Sequence, residues 1–258
     1  MRDSTNVDQA PPSARTIRLT LGVALVALAS LAAAAGEHAQ HWSYSGPNGP
    51  AHWPGICATG KSQSPIDIST ASAAHKKLPP LAFAYRPTAL HIIDNGHSIQ
   101  VDVDKGSTLT VGGVRFPLVQ FHFHKPSEEE IDGRASAMVV HLVHRDAEGN
   151  LAVVAVPIRS GGSNSMVETL WRNLPRQKGH ELSPAGVTIA PSQLLPADRA
   201  YFTYVGSLTT PPCTEGVRWF VLRSPASLSP AEISTFAKLY PANARPVQPV
   251  HGRQIVTN

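Results

Sequence analysis

The chain has 258 residues, a formal net charge of +4, 23 prolines, 19 glycines and two cysteines. This length is sufficient for one large core or two small ones without extra cross-links. The small, scattered positive charge, with no basic runs interleaved with aromatic residues, argues against a nucleic-acid partner. Many prolines and glycines with few long helical periods predict a fold rich in strands and loops.

The N-terminus carries a targeting segment. Two arginines precede an apolar run, 19–31, that ends in a row of alanines. This order is typical of a secretory signal peptide, and the alternative is a membrane anchor. The run is shorter than the roughly 20 residues of a membrane span, so we expect cleavage near Ala35 and no stable membrane anchor. We predict a signal peptide with a polar extension over 1–35, a mature domain over 36–258, and a periplasmic or secreted protein.

Short strands follow one another along the mature chain. An Asn-Gly pair at 95–96 predicts a hairpin between strands at 90–94 and 98–103, and a Gly-Gly pair predicts a second hairpin after 108–111. Capping boxes at 165–168 and 229–232 predict two short helices, 166–174 and 230–239. No repeat or linker divides the chain, so we expect one mainly β domain of the α+β class with a few short surface helices. Further strands are predicted at 114–116, 119–124, 139–144, 151–158, 201–205 and 217–222.

Three histidines lie on two of these strands. Side chains alternate along a strand, so His122 and His124 share one face of the strand 119–124, and Val119 shares the other face with two phenylalanines. His141 lies on the next strand. If the strands pair, three imidazoles converge, and three nitrogens with one open position are how catalytic zinc is held. Ordinary solvated or hydrogen-bonded histidines are the alternative, which this pattern alone leaves open.

Cys57 and Cys213 are the only cysteines. In an exported chain an isolated pair is typically a disulfide. Closing so long a loop stabilises the fold by roughly 4–5 kcal/mol in the chain-entropy description. The alternative is two unpaired buried thiols, and a catalytic cysteine is disfavoured because no activating base stands near either one.

Seven stretches, in one order, give the mature chain a family resemblance. It resembles an α-class carbonic anhydrase of bacterial type over about 41–255, which is nearly the whole mature chain. The resemblance implies a single domain built on a large twisted, mostly antiparallel mixed sheet, and a lyase that reversibly hydrates CO2 to bicarbonate and a proton. The stretches are His41–Tyr44, Gln63–Ile68, Asn95–Ser98, Gln120–His124, His141–His144, Ser207–Pro212 and Arg245–Pro249.

The resemblance implies roles for individual residues. His122, His124 and His141 match three Zn2+ ligands, with a hydroxide in the fourth position that attacks CO2. Thr209 matches the residue that orients this hydroxide, and Glu128 matches the carboxylate that accepts a hydrogen bond from Thr209.

Further matches surround this centre. His97 matches a proton shuttle, because a histidine with a near-neutral pKa can pass a proton to buffer. Tyr44 and Gln100 match polar residues that order the intervening water. Thr210 lies beside the site. The residues that match an apolar pocket for CO2 are Val143, Val153, Leu208 and Trp219.

The partners of the three imidazoles are where the chain departs from the family. Gln120 matches the partner of His122, and a backbone carbonyl near Asn243 is expected to serve His124. The usual carboxylate two residues before the third ligand is replaced by Val139. We hypothesise that Glu129, which replaces a family histidine, reaches His141 instead; the alternative is that it faces solvent. A second departure, Lys125, has no role that we can assign.

The resemblance also implies that Cys57 and Cys213 form the disulfide of exported members, anchoring the loop with Thr209. It implies sulfonamide or anion inhibitors at the zinc, and a monomer or homodimer. Two other functions remain to be compared. A non-catalytic binding module of the same fold usually lacks a metal ligand, whereas this chain has all three. An iron oxygenase that also uses His-x-His requires a carboxylate ligand, for which Glu128 or Glu129 is available.

Overall fold

The computed structural model describes residues 41–258, and the predicted signal peptide lies outside these residues. Within this part of the chain, no helix is long and apolar enough to cross a membrane. The α-helices are α1 (Ile56–Thr59), α2 (Ser165–Arg172) and α3 (Pro230–Leu239), and 3-10 turns occupy Gly46–Asn48, Pro50–His52 and Pro191–Leu194. The strands are β1 (Asp67–Ile68), β2 (Ala74–His75), β3 (Ala82–Ala84), β4 (Thr88–Ala89), β5 (His91–Asp94), β6 (Ile99–Asp102), β7 (Thr108–Val111), β8 (Val114–His124), β9 (Glu130–Ile131), β10 (Arg134–Ala135), β11 (Met138–Arg145), β12 (Leu151–Ser160), β13 (Glu181–Leu182), β14 (Thr188–Ile189), β15 (Tyr201–Ser207), β16 (Glu215–Leu222), β17 (Ala226–Leu228) and β18 (Val256–Thr257).

A thirteen-stranded sheet forms the body of the domain, and its main path runs β13-β5-β6-β8-β11-β12-β16-β15-β18-β2. Most neighbours are antiparallel, but β12 pairs in parallel with β16 and β17, and β18 pairs in parallel with β2. The expectation of one mainly β domain on a large twisted mixed sheet is confirmed. Both predicted hairpins are present as β5–β6 and β7–β8.

Both faces of the sheet are buried, as expected for its central apolar strands. On one face, helices α2 and α3 pack over a large core that includes Phe121 and Phe123. On the opposite face, a second apolar cluster includes Val139, Val153 and Trp219. The strand alternation therefore directs the phenylalanines of β8 into the larger core and leaves the histidine face beside the smaller cluster.

The prediction that Val119 shares the face of the two phenylalanines is wrong. The pairing of β8 with β11 shifts register between Val143 and His144, whose partners are Gln120 and Leu118. Val119 is the extra residue of this bulge and is 38% exposed, whereas Phe121 is fully buried. A bulge inserts one unpaired residue, so the alternation restarts beyond it.

The first predicted helix is displaced at its N-terminus. Helix α2 begins at Ser165, and its N-cap is Asn164, whose side chain accepts hydrogen bonds from the backbone N–H groups of Met166 and Val167. The predicted capping box from Ser165 is therefore wrong, because Asn164 is the N-cap and Ser165 is already the first residue of the helix. The second predicted capping box, on α3, is present between Ser229 and Glu232.

Candidate metal centre

Three imidazoles converge where β8 and β11 pair. The antiparallel register sets His141 directly opposite His122, and His124 lies two residues further along β8 on the same face. One ring nitrogen from each histidine lies within 4.8 Å of the others. The rings also sit close, with centroids of His124 and His141 separated by 4.7 Å. The pairing of β8 with β11 therefore brings the two histidines of β8 and the one of β11 into a single site.

Hydrogen bonds determine which nitrogen of two rings faces the centre. His122 Nδ1 lies 2.8 Å from Gln120 Oε1, and His124 Nδ1 lies 2.8 Å from the carbonyl oxygen of Asn243. Both partners are acceptors, so Nδ1 carries the proton in each ring and Nε2 is left with its lone pair. His124 Nε2 is buried and has no hydrogen-bond partner in the described residues.

The third ring is turned the other way. His141 Nε2 lies 3.0 Å from Glu129 Oε1 and 3.3 Å from Oε2, so Nδ1 has its lone pair towards the centre. Glu129 is only 4% exposed and does not face solvent. Glu129 lies on the turn before β9. Val139, two residues before His141, packs in the smaller apolar cluster. The turn thus supplies a carboxylate beside the third imidazole.

The pKa values of the three rings are shifted in different directions. Burial and the neighbouring His141 lower the pKa of His122 to about 3, and burial lowers the pKa of His124 well below its usual value. Burial also disfavours the charged form of His141, but Glu129 outweighs this effect and raises the pKa of that ring. Two neutral imidazoles and a third paired with a carboxylate are the donor set that zinc prefers. The orphaned, buried Nε2 of His124 shows that the residues fit a metal ion.

Glu128 lies immediately behind this centre and is 2% exposed. Its Oε1 accepts a hydrogen bond from the backbone N–H of Arg245 at 2.8 Å. Burial raises the pKa of Glu128 to about 7, opposed by His141 and by the hydrogen bond from the Arg245 backbone. Glu128 Oε2 is buried and has no hydrogen-bond partner in the described residues, so it is available as an acceptor at the site.

The loop with Thr209 is tied down on several sides. Cys57 and Cys213 form a disulfide, which confirms that prediction and is consistent with an exported protein. The N–H of Cys213 donates to the carbonyl of Thr210 at 2.8 Å. Before the loop, Gly206 leaves no room for a side chain, since a Cβ there would clash with Ser64 Oγ and lie 3.0 Å from Trp219.

The residues matched to an apolar pocket lie together. Val153 and Trp219 are buried in the smaller cluster, and Val143 and Leu208 pack against it. The Trp219 ring stands edge-on to the His141 ring, with centroids 5.0 Å apart. An apolar surface therefore borders one side of the three imidazoles.

His97 lies on the other side of the site, at the turn after β5. Its ring stacks on Trp42, with centroids 3.6 Å apart and an interplanar angle of 11°. The Tyr44 ring neighbours both this pair and the centre, 6.5 Å from the His97 ring and 6.4 Å from the His124 ring. Gln100 pairs with His122 across β6 and β8, and its side chain donates to Asp102 Oδ1.

Sequence reasoning missed two features near the centre. Asn243 was expected to offer only its carbonyl, but its side chain also accepts from the Lys125 N–H and donates to the carbonyls of His97 and Phe123. Arg245 belongs to the stretch Arg245–Pro249, but the sequence indicated no role for it. A basic residue in a short motif gives no sign that it is buried; Arg245 is 2% exposed.

Comparison with known proteins agrees with this geometry. The family described as eukaryotic-type carbonic anhydrase matches residues 48–258. A carbonic anhydrase from Nostoc is 41% identical over 225 residues, covering 84% of this chain and 85% of that protein. The structure of the α-carbonic anhydrase from Thermovibrio ammonificans with the inhibitor sulfanilamide has a TM-score of 0.81 and 41% identity, covering 84% of this chain and 98% of that one. A carbonic anhydrase from Chlamydomonas reinhardtii with acetazolamide has a TM-score of 0.78 and 36% identity, covering 84% and 99%.

This chain belongs to the α-carbonic anhydrase family and is an enzyme of that class, a lyase acting on CO2. The prediction made from the seven sequence stretches is confirmed. The iron oxygenase is excluded by the family, and the non-catalytic binding module is not favoured, because several curated relatives at about 40% identity are carbonic anhydrases.

Proposed function

We propose that the enzyme hydrates CO2 reversibly to bicarbonate and a proton with one Zn2+ held by His122 Nε2, His124 Nε2 and His141 Nδ1. The observation that carries this proposal is the convergence of three imidazole nitrogens whose opposite nitrogens are all occupied by acceptors. A zinc ion there would supply hydroxide at neutral pH, since in carbonic anhydrases generally the pKa of its water is about 7.

Thr209 and Glu128 orient the nucleophile. A hydroxyl that donates to a carboxylate has its lone pairs left to accept, so Thr209 Oγ1 accepts a hydrogen bond from the nucleophile and aims the nucleophile's lone pair at CO2. Glu128 fixes the direction of the Thr209 proton because its own Oε1 is held by the Arg245 N–H. Thr210 lies beside this pair on the same loop.

The apolar cluster provides the waiting place for CO2. The substrate carries no charge, so Val143, Val153, Leu208 and Trp219 suit it better than a polar clamp would. These side chains also exclude water from one side of the nucleophile. Bicarbonate, being charged, is held less well there and leaves.

His97 carries the released proton to buffer. Its ring lies beyond Tyr44 from the centre, and Tyr44 with Gln100 orders the water between them. Replacing His97 by Ala should lower turnover in weak buffer by about 100-fold, the low end of the range for positioned acid-base groups. Small imidazole buffers should restore turnover in this variant, while the zinc content stays unchanged; a variant as fast as the parent in every buffer contradicts the role.

Inhibitors and location follow from the same reasoning. The solved relatives bind sulfanilamide and acetazolamide, and we propose that sulfonamides and anions bind this enzyme at its zinc. We also propose export, with cleavage near Ala35 leaving the catalytic domain over 36–258 in the periplasm or outside the cell, as a monomer or homodimer. Mass spectrometry of the mature N-terminus and light scattering test these two points.

The central test is stopped-flow CO2 hydration by the mature protein before and after zinc removal. We expect hydration that disappears with the metal and returns when zinc is restored. Activity that persists in metal-free protein, or no activity with one zinc bound per chain, would overturn the proposed mechanism. Metal analysis of the purified protein identifies the ion independently of turnover.

A further inference from the structure

Arg245 is a buried cation with an unusual set of partners. Its Nη1 donates to Gln63 Oε1 at 2.9 Å and to the Ser64 carbonyl at 2.7 Å, and its Nη2 donates to the Cys57 carbonyl at 2.8 Å. Within residues 41–258, no carboxylate lies within salt-bridge distance of this guanidinium. Burial of a charge is costly unless it is hydrogen-bonded, so these three acceptors hold the side chain in one place. The Nε–H of Arg245 is buried and has no hydrogen-bond partner in the described residues, so the side chain depends on these three contacts.

The backbone of the same residue reaches the catalytic region. The Arg245 N–H donates to Glu128 Oε1 at 2.8 Å. Because the guanidinium is anchored on 57–64, the position of this N–H is determined from the N-terminal part of the chain. One partner of the Thr209–Glu128 pair is thereby fixed.

Gln63 fixes the other partner. While its Oε1 accepts from Arg245, its Nε2 donates to the Cys213 carbonyl at 3.1 Å and to Glu215 Oε1 at 2.9 Å. Cys213 closes the loop that begins with Thr209. Gln63 is 3% exposed, and its Nε2 lies so close to Gly60 that a Cβ at that position would clash with it.

We propose that Gln63 and Arg245 form a clamp, the Gln63–Arg245 clamp, that sets the Thr209 loop and Glu128 at the spacing needed for the nucleophile to be aimed. Both are positioning residues, since neither contacts the three imidazoles. The inference rests on the proposed roles of Thr209 and Glu128, but it makes a separate physical claim. The claim is that the buried amide side chain of Gln63 holds both Glu128, through Arg245, and the Thr209 loop in position.

Two variants divide the clamp into its parts. Gln63→Met keeps the size of the side chain and removes all three of its side-chain hydrogen bonds. Gln63→Glu keeps an acceptor for Arg245 but removes the donor to Cys213. Ser107→Ala is the matched control, because Ser107 is 2% exposed and accepts from the Arg86 N–H at 3.0 Å outside the site.

Amide hydrogen exchange, followed by NMR on the zinc-loaded mature protein, measures directly how firmly the clamp holds the Arg245 and Cys213 amides. In Gln63→Met we expect exchange of the Arg245 and Cys213 amides to accelerate at least 10-fold more than exchange of the core amide of Val154. In Gln63→Glu only Cys213 should accelerate in this way. Ser107→Ala should change all three amides by the same factor.

Turnover gives the second reading. We expect kcat for CO2 hydration to fall about 10-fold in Gln63→Met with the zinc content and KM little changed, because orientation and not binding is lost. Equal acceleration of all three amides, or local acceleration without loss of kcat, would overturn the clamp. If Gln63→Met does not fold, Gln63→Glu and Arg245→Lys decide by the same two readings. A parent protein without hydration refutes the proposed function instead, and the exchange result still decides the clamp.

Discussion

At the scale of single residues, the partner of His141 departs from the pattern that the family resemblance implies. Glu129 presents both carboxylate oxygens to one ring nitrogen. Such partners orient the ring and raise its basicity as a ligand, and their loss typically costs 10- to 100-fold in metal affinity. We therefore predict that Glu129→Gln binds zinc about 10- to 100-fold more weakly, measured by competition with a chelator.

The chain also offers a matched rescue for this prediction. Val139 lies two residues before His141 on the same face of β11, at the position where the family resemblance implies a carboxylate. Introducing Val139→Glu together with Glu129→Val should recover most of the lost affinity. If Glu129→Gln binds zinc as tightly as the parent, Glu129 does not hold the ring.

His97 illustrates how a packing contact sets a pKa. Burial lowers the pKa of His97, and His41 and Lys178 lower it further against the opposing charge of Asp94. The stacked Trp42 ring provides part of this burial. We predict that Trp42→Ala raises the pKa of His97 towards 6.5, which an NMR titration of its ring protons measures.

Lys178→Gln is the comparison variant for this titration. This variant removes a cation but keeps the stacking of Trp42 on His97, so it should raise the pKa of His97 less than Trp42→Ala does. A pKa that does not change, or falls, in Trp42→Ala contradicts the account.

At the scale of elements, the disulfide joins helix α1 to the Thr209 loop across 156 residues of sequence. In the chain-entropy description, opening a loop of this length costs about 5 kcal/mol of stability. We predict that replacing both Cys57 and Cys213 by Ser lowers the free energy of unfolding by roughly this amount and also lowers turnover, because Cys213 orders the loop. Urea unfolding and hydration assays check it; unchanged activity in a folded double variant refutes the link to catalysis.

The same scale shows what sequence could and could not predict. Strands β8, β11 and β12 were predictable because each buries a regular pattern of apolar residues. The bulge at Val119 was not, because a bulge depends on the partner strand and leaves no mark in its own residues. Two-residue strands such as β2 and β18 have too few residues to show any period.

Long-range polar contacts mark the other limit. The ligands could be identified because their residue type and spacing are restricted by the metal. Arg245 and Gln63 could not, because hydrogen bonds to backbone carbonyls require no particular spacing in the chain. Residues that hold the catalytic pair in place are therefore visible only once the fold brings segments 57–64, 128 and 245 together.

At the scale of the whole molecule, a buried histidine outside the site governs stability in acid. His144 is fully buried; its Nδ1–H donates to the Ala152 carbonyl and its Nε2 accepts from the Tyr85 hydroxyl. Burial lowers the pKa of His144 to about 4. Between pH 6.5 and 4, His144 is protonated in the unfolded chain but stays neutral in the folded protein. The free energy of unfolding therefore falls as the pH falls, by about 3 kcal/mol in total.

We predict that metal-free His144→Gln loses most of this dependence. Urea unfolding at several pH values between 7.5 and 4 should give a shallower slope for the variant than for the metal-free parent, whose other histidines contribute equally to both. Identical slopes would show that His144 is not the group responsible. The expected neutral-pH penalty for losing one hydrogen bond to Tyr85 is about 1 kcal/mol.

The pairing of β8 with β11 has a consequence for the order in which the parts of the site are synthesised. The three proposed metal ligands and Glu128 lie within residues 122–141, whereas Thr209 and Arg245 belong to the last quarter of the chain. A chain that emerges from its N-terminus thus possesses the complete proposed ligand set before Thr209 and the Arg245 N–H, which orient the nucleophile together with Glu128, have been synthesised. We therefore expect changes confined to the late segments to impair turnover while the metal ligands stay intact.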